Sequence, residues 1–268
     1  MAPHFTVTLA GDTRGLDRPG QFAGADLLVF PELATTGYAR LAQGPVTLSE
    51  AAVQITSFRR LSAAFGGTVV AGSLALPGGK GKMTNSSLVF SRGRRIHRYD
   101  KIHLFRPCND HVYFAAGRTA GTFVFRTADG IRVRAGVEIC FDLRFPELAR
   151  MMALQGMVIL FVPARWPRKR DDAWRTLLKA RAIENQIFVV GCNAAGEEGG
   201  NSYVFDPSGE ELLSTTGDPE VPHHTVGIDL GRIAFARRLH RNLEEAVLLR
   251  RLAGKRKQDR ISRRGSPA

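Results

Sequence analysis

Glu32 in FPELATTGY, Lys101 in YDKIHLF and Cys140 in GVEICFDLRFPEL are the side chains of this sequence best suited to chemistry. A thiol, a carboxylate and an ammonium are the parts of covalent acyl transfer. Thiolate is the strongest nucleophile a side chain offers, a carboxylate can carry its proton, and an ammonium can meet charge developing on a tetrahedral oxyanion. Each has a plainer reading when taken alone. A glutamate after a strand is ordinarily a solvated loop residue or a helix cap, a lysine ordinarily lies at the surface, and a cysteine after an apolar strand is more often an inert core thiol. Their common placement argues for the first reading, because all three follow strand-like segments and ligands of open α/β sheets gather beyond the carboxyl ends of strands.

The elements that must position them read as an alternation of short apolar runs and helical patterns, which is α/β layering. Asp26–Phe30, Thr68–Leu74, Ser86–Phe90 and Arg132–Ile139 read as strands, the last ending at Cys140. Met157–Val162 and Ile187–Cys192 are nearly all apolar and read as strands buried on both faces. Leu148–Leu154 follows Pro146, which suits a first helical turn. Over Asp172–Gln186, Trp174, Leu177, Leu178, Ala182 and Ile183 recur at helical spacing. Pro207–Gly209 reads as a hairpin turn. A last helical pattern, Leu243–Leu252, leads into a polar, basic end that reads as disordered.

Composition narrows the function. The three cysteines, Cys108, Cys140 and Cys192, are too few and too scattered for a disulfide framework, and none forms a Cys-x-x-Cys pair for zinc. A reducing compartment, most simply the cytoplasm, follows. No apolar run reaches the roughly 18 residues of a membrane span, and Met1–Thr13 lack the pattern of a secretory leader. The formal charge of +13 suggests nucleic acid at first sight, but Gly231–Ala268 alone carry a net +9 and the other 230 residues only +4. Any polyanion contact is therefore expected of the tail only, as weak and salt-sensitive binding.

Taken together, these segments resemble the nitrilase, or carbon–nitrogen hydrolase, superfamily. The likeness runs from about Ala25 to Leu230 and rests on the order Glu, Lys, Cys, on the specific run CFDLRFPE, on ARAIENQIFVVGCN and on Asn201–Gly209. HLFRPCNDHVYFAAG and PARWP…AWRTLLKARAIENQ resemble the omega-amidase branch, which hydrolyses the terminal amide of 2-oxo-dicarboxylic acid monoamides. The resemblance implies a four-layer α-β-β-α sandwich over residues 1–240, a basic extension over 241–268, a homodimer joined through helices that flank a sheet, a small amide as substrate and no cofactor. It implies Cys140 as nucleophile, with Glu32 as general base taking the thiol proton and Lys101 with the Phe141 N–H as oxyanion donors; a nearby helix start and Lys101 should favour the thiolate. Asp110, Phe141, Arg165 and Trp166 are the expected substrate-binding positions. Arg106, Arg144 and Arg165 flank the catalytic segments and suit a substrate carboxylate, although Arg165 is equally plausible as a solvated loop residue. Trp166 reads evenly as pocket wall or core. His103 reads as structural rather than as a second base, Glu138 as the partner of Arg134 on its strand face, and Arg144 and Glu147 as ties between turn and helix. An inactive scaffold, a true nitrilase and an N-carbamoyl amidase are the rival readings.

Three departures from the pattern carry expectations. The segment between Leu9 and Asp26, with Gly11, Gly15, Pro19 and Gly20, is too short and broken for the helix that family members fit there, so apolar sheet surface should be exposed. Asp110 stands where a longer glutamate is common and would steady Lys101 through a water or less firmly. The basic tail has no counterpart.

Overall fold

The computed structural model describes residues 3–79, 81–221 and 223–247. The helix read over Leu243–Leu252 and the basic end lie largely outside these residues. The chain runs through β1 (His4–Ala10), β2 (Leu27–Val29), α1 (Gly37–Leu41), α2 (Leu48–Phe65), β3 (Thr68–Val70), β4 (Leu74–Pro77), β5 (Met83–Ser91) and β6 (Arg94–Asp100). It continues through α3 (Asp110–Tyr113), β7 (Phe123–Arg126), β8 (Arg132–Val137), α4 (Pro146–Leu154), β9 (Ile159–Ala164), α5 (Asp171–Asn185), β10 (Phe188–Asn193), β11 (Tyr203–Phe205), β12 (Glu211–Ser214), β13 (His223–Asp229) and α6 (Gly231–Leu239).

These strands form two mixed sheets. One has the order β13-β1-β2-β3-β5-β4, with β6 also pairing to β5, and the other runs β12-β11-β10-β9-β8-β7. Their inner faces pack against each other. Phe5, Val7, Leu9, Val29, Val70 and Val89 of the first meet Val133, Val137, Phe161 and Val190 of the second in one core. All six residues of β9 and of β10 are buried, as their apolar runs require. Helix α2 covers the outer face of the first sheet through Phe58 and Leu61, and the Phe58 ring meets Phe30 edge-on at 5.1 Å. Helices α4 and α5 cover the second sheet, and the α-β-β-α layering is complete.

The run Thr68–Leu74 is two strands rather than one. The chain breaks at Gly72, whose φ of +63° brings its α-carbon against Pro31, so that an added Cβ would lie 1.9 Å from the Pro31 carbonyl oxygen. The break turns Ser73 so that its hydroxyl accepts the Leu33 N–H at 2.9 Å, which ties down the loop that carries Glu32.

The segment after β1 does lack a full helix and holds only a short 3-10 turn, Pro19–Phe22. The expected apolar exposure does not follow. The outward side chains of β1 and β13 include Thr6, Thr8 and Thr225, and the Thr8 and Thr225 hydroxyls bond at 2.7 Å. The apolar outer residues at that end, Ala10, Leu28 and Phe30, are buried with Phe22 of the same segment, and Leu16 packs against them.

Candidate active site

Glu32 leaves the carboxyl end of β2, Lys101 that of β6 and Cys140 that of β8, so the three strand ends converge on one edge of the sandwich. Two of these turns hold non-glycine residues in the left-handed region, Leu33 at φ +46° and Cys140 at φ +50°. Such backbone costs energy and persists where the surroundings fix it. Around Cys140 the fixing group is Asp142, fully buried. Its carboxylate accepts the Ile139 N–H at 3.1 Å and the Tyr99 hydroxyl at 2.7 Å on one oxygen. The other oxygen takes the His103 N–H at 2.8 Å and the His103 ring at 2.9 Å. The Cys140 turn and the segment after Lys101 are thereby bound into one unit. His103 also stacks on Phe145, centroids 3.6 Å apart.

Lys101 is buried between two carboxylates, with Nζ 2.7 Å from Glu32 Oε1 and 2.7 Å from Asp110 Oδ2. No bridging water is needed. The shorter aspartate reaches the ammonium because its loop is folded tightly, with Asp110 Oδ2 also accepting the Phe105 N–H at 2.9 Å. Burial works against charge on Lys101, but Glu32, Cys140 and Asp110 outweigh it and hold the ammonium well above the usual lysine range. Glu32 Oε1 further accepts Asn85 Nδ2 at 2.9 Å, and Oε2 faces the Arg165 N–H at 3.3 Å. Tyr38 donates to Asp110 Oδ1 at 2.8 Å and lies 3.5 Å from Glu32. Burial, then the neighbouring carboxylates, hold its hydroxyl protonated.

The surroundings favour the thiolate less than a nearby helix start and Lys101 suggest. Burial pushes the Cys140 thiol well up, the charge of Glu32 pushes it further, and Lys101 and the Arg165 N–H only partly offset this. The turn after Cys140 is a 3-10 turn, Cys140–Arg144, and α4 begins six residues on at Pro146, too far for its end charge to act. Cys108 is exposed on the cavity rim, and Cys192 is buried with Sγ 3.2 Å from the Val29 carbonyl oxygen.

Beside Cys140 opens a cavity of about 200 Å³ walled by Phe105, Phe141, Trp166 and Pro107, with Arg144 and Arg170 at its border. Phe141 is a wall, its ring 4.9 Å from Phe105. Trp166 fills both of its expected roles: it is buried against Trp174 at 5.3 Å and faces the cavity. Asp110 does not line the cavity, because its oxygens are spent on Lys101, Tyr38 and Phe105. Arg165 is not a free cation. Its Nε donates to the Glu32 carbonyl at 2.8 Å, Nη2 to Leu33 and Nη1 to Glu198 at 2.5 Å. It clamps the Glu32 loop. Arg106 is exposed and outside the cavity lining, whereas Arg144 enters it, its Cζ 5.0 Å from the Trp166 centroid. Glu147 is exposed in the first turn of α4. Arg134 bonds Thr122 rather than Glu138, which lies fully buried on the face toward α5 and is pushed to its neutral form by burial and by Asp142, with Arg181 opposing.

Tyr38, Asn85, Phe105, Asp142 and Arg170 belong to this constellation and were not among the expected site residues. Tyr38, Phe105 and Asp142 lie inside the quoted motifs, which was the available signal. Asn85 and Arg170 carry none that spacing reveals.

A double-sheet sandwich with a buried Glu–Lys–Cys constellation at one sheet edge is the architecture of the carbon–nitrogen hydrolases. The sequence pattern of that family matches residues 16–238, and this chain belongs to it. It is a carbon–nitrogen hydrolase that acts on amides. Among its relatives, a 2-oxoglutaramate amidase of Bacillus subtilis is 37% identical over 193 residues, 70% of this chain and 73% of that protein. The omega-amidase YafV of Escherichia coli K12 is 36% identical over 197 residues, 71% of this chain and 73% of that one. The crystal structure of XC1258 from Xanthomonas campestris, a CN-hydrolase superfamily protein, superposes with a TM-score of 0.76 at 26% identity, covering 91% of this chain and 97% of that one.

Proposed function

We propose that the protein hydrolyses a small ω-amide of a 2-oxo-dicarboxylic acid, such as 2-oxoglutaramate, through a thioester on Cys140. The observation that carries this reading is a buried ammonium bonded to two carboxylates beside a buried thiol that opens onto an aromatic cavity. Glu32 takes the thiol proton as sulfur attacks the amide carbon, and hands it to the departing ammonia. It then draws a proton from the water that cleaves the thioester. An ammonium has three N–H donors, and two of those on Lys101 are engaged, which leaves one for the oxyanion. The Phe141 N–H, in the first turn of the 3-10 helix, is the second donor. Tyr38, Asn85 and Arg165 hold Glu32 and its loop in register.

The far end of the substrate lies between Phe105, Phe141 and Trp166 and reaches Arg144, which replaces the wider set of arginines expected from sequence. The direct Asp110–Lys101 contact removes one motive for an inactive scaffold. We further place a homodimer contact on α4, α5 and α6, where Met151, Leu154, Ile183, Phe235 and Leu239 are exposed. No helix among the described residues is long and apolar enough to cross a membrane. The unpaired cysteines favour the cytoplasm.

The test compares kcat/KM for 2-oxoglutaramate, its methyl ester and an aliphatic nitrile of similar length. A charge-assisted contact to Arg144, typically about 1.5–3 kcal/mol, gives the acid a roughly ten- to hundred-fold advantage over the ester. Equal rates for acid and ester would overturn the clamp, and faster conversion of the nitrile would make nitrile hydrolysis the activity.

A further inference from the structure

Two guanidinium groups face the cavity without a carboxylate partner among the described residues. Arg144 lies over Trp166, and Arg170 lies over Phe105 with its Cζ 5.8 Å from the ring centroid. Both line the cavity, and no acidic residue does. The backbone of Arg170 is fixed from two sides. Its carbonyl accepts Trp166 Nε1–H at 3.0 Å and its N–H donates to Pro167 at 2.9 Å. The neighbouring Asp171 is spent on the Tyr203 hydroxyl at 2.5 Å. One indole thus sets both arginines, Arg144 by its face and Arg170 by its N–H.

A single carboxylate is fully served by one guanidinium fork. If Arg144 takes it, the second cation calls for a further acceptor close by on the substrate. In an ω-amide of a dicarboxylic acid that place is the 2-position, one bond from the carboxylate carbon. A 2-oxo oxygen accepts a hydrogen bond there, a methylene offers nothing, and a 2-ammonium sets two cations against each other.

We propose that Arg170 is the specificity-determining residue for the 2-position: it donates to the 2-oxo oxygen and turns away 2-amino acid amides. This rests on the amide-hydrolase reading of the site above. It gives the enzyme a means to spare amino acid amides of the same length and carboxylate while cleaving their 2-oxo counterparts.

The test uses the full-length protein and a four-carbon set that cannot close a five-membered lactam: 2-oxosuccinamate, succinamate and asparagine. Ammonia release gives kcat/KM for each. Wild type should rank them in that order. Arg170→Gln should shrink the ratio of 2-oxosuccinamate to asparagine at least tenfold, Arg170→Glu should shrink it further, and Arg170→Lys should keep most of it. A purely structural role for Arg170 would scale all three rates together and leave the ratios unchanged, and that result would overturn the proposal while leaving the amidase reading intact. Failure of wild type on all three amides would instead sink the reading on which the proposal rests.

Discussion

At the scale of single residues, the proposed nucleophile Cys140 sits where burial and Glu32 disfavour its ionised form. Lys101 would favour a thiolate, but two carboxylates already share its charge, and burial and Glu32 act against ionised sulfur. The proposed mechanism therefore needs Glu32 as a base rather than as a bystander to a ready-made ion pair. The expected outcome is spectroscopic. The absorbance near 240 nm that marks thiolate should not differ between wild type and Cys140→Ser at pH 8. A thiolate signal already present at pH 7 and lost in the variant would replace general-base activation with a standing thiolate–ammonium pair. This protonated ground state could not be read from the sequence. The positions of Glu32, Lys101 and Cys140 were legible from their flanking motifs and their order, which resemble the family, but their effect on one another depends on burial and on separations that the sequence does not carry. Asn85 shows the limit most clearly: it meets Glu32 across 53 positions, and nothing around it in the chain distinguishes it from any other strand asparagine.

At the scale of elements, the strands deliver the chemistry and α2 holds the first sheet behind them. Thr47 and Glu50 cap that helix reciprocally, the Thr47 hydroxyl accepting the Glu50 N–H at 3.2 Å and the Glu50 carboxylate accepting the Thr47 N–H at 2.8 Å. These bonds, first that from the Thr47 backbone and then that from Arg40, lower the Glu50 carboxyl from 4.5 to about 2. Because the folded value is the lower one, the stabilisation from Glu50 is complete above the unfolded value and fades as pH falls toward the folded one. Thr47→Ala should cost about 1 kcal/mol in urea unfolding at pH 7, and Glu50→Gln should lose stability relative to wild type by an amount that narrows as pH drops below 4.5. A difference that does not change with pH would remove Glu50 from the cap. The helix was readable in principle from Thr47-Leu-Ser-Glu50 ahead of an amphipathic run, yet it was not among the expected elements. The strand β6 was less readable, since RRIHRYD lies mostly at the surface with little alternation, and pairs with β5 alone. Gly72 splits an apolar run that looks continuous, because the break is imposed by Pro31 on a neighbouring loop rather than by local preference.

At the scale of the whole molecule, the four layers were implied by resemblance, and the two apolar clusters show why they form: one fills the space between the sheets, the other lies under α2. The short segment after β1 covers the apolar residues of the sheet beside it with Phe22 and Leu16, and threonines face outward beyond them. Exposed apolar residues lie on α4, α5 and α6, the face proposed for a dimer, and also on α2 at Leu48 and Val53. Replacing Met151 and Phe235 together with Glu should shift the protein to monomers in sedimentation velocity while its circular dichroism stays native. An unchanged sedimentation coefficient, or a wild type already monomeric, would remove that face from any assembly.

The central claim is that one of three thiols carries the acyl group. Ammonia release from 2-oxoglutaramate by wild type, Cys140→Ala, Cys108→Ala and Cys192→Ala tests it directly. Cys140→Ala should lose at least about 10⁴-fold in turnover while keeping native circular dichroism, and the other two variants should stay within a small factor of wild type. Turnover surviving in Cys140→Ala, or lost in a well-folded Cys108→Ala instead, would contradict the account.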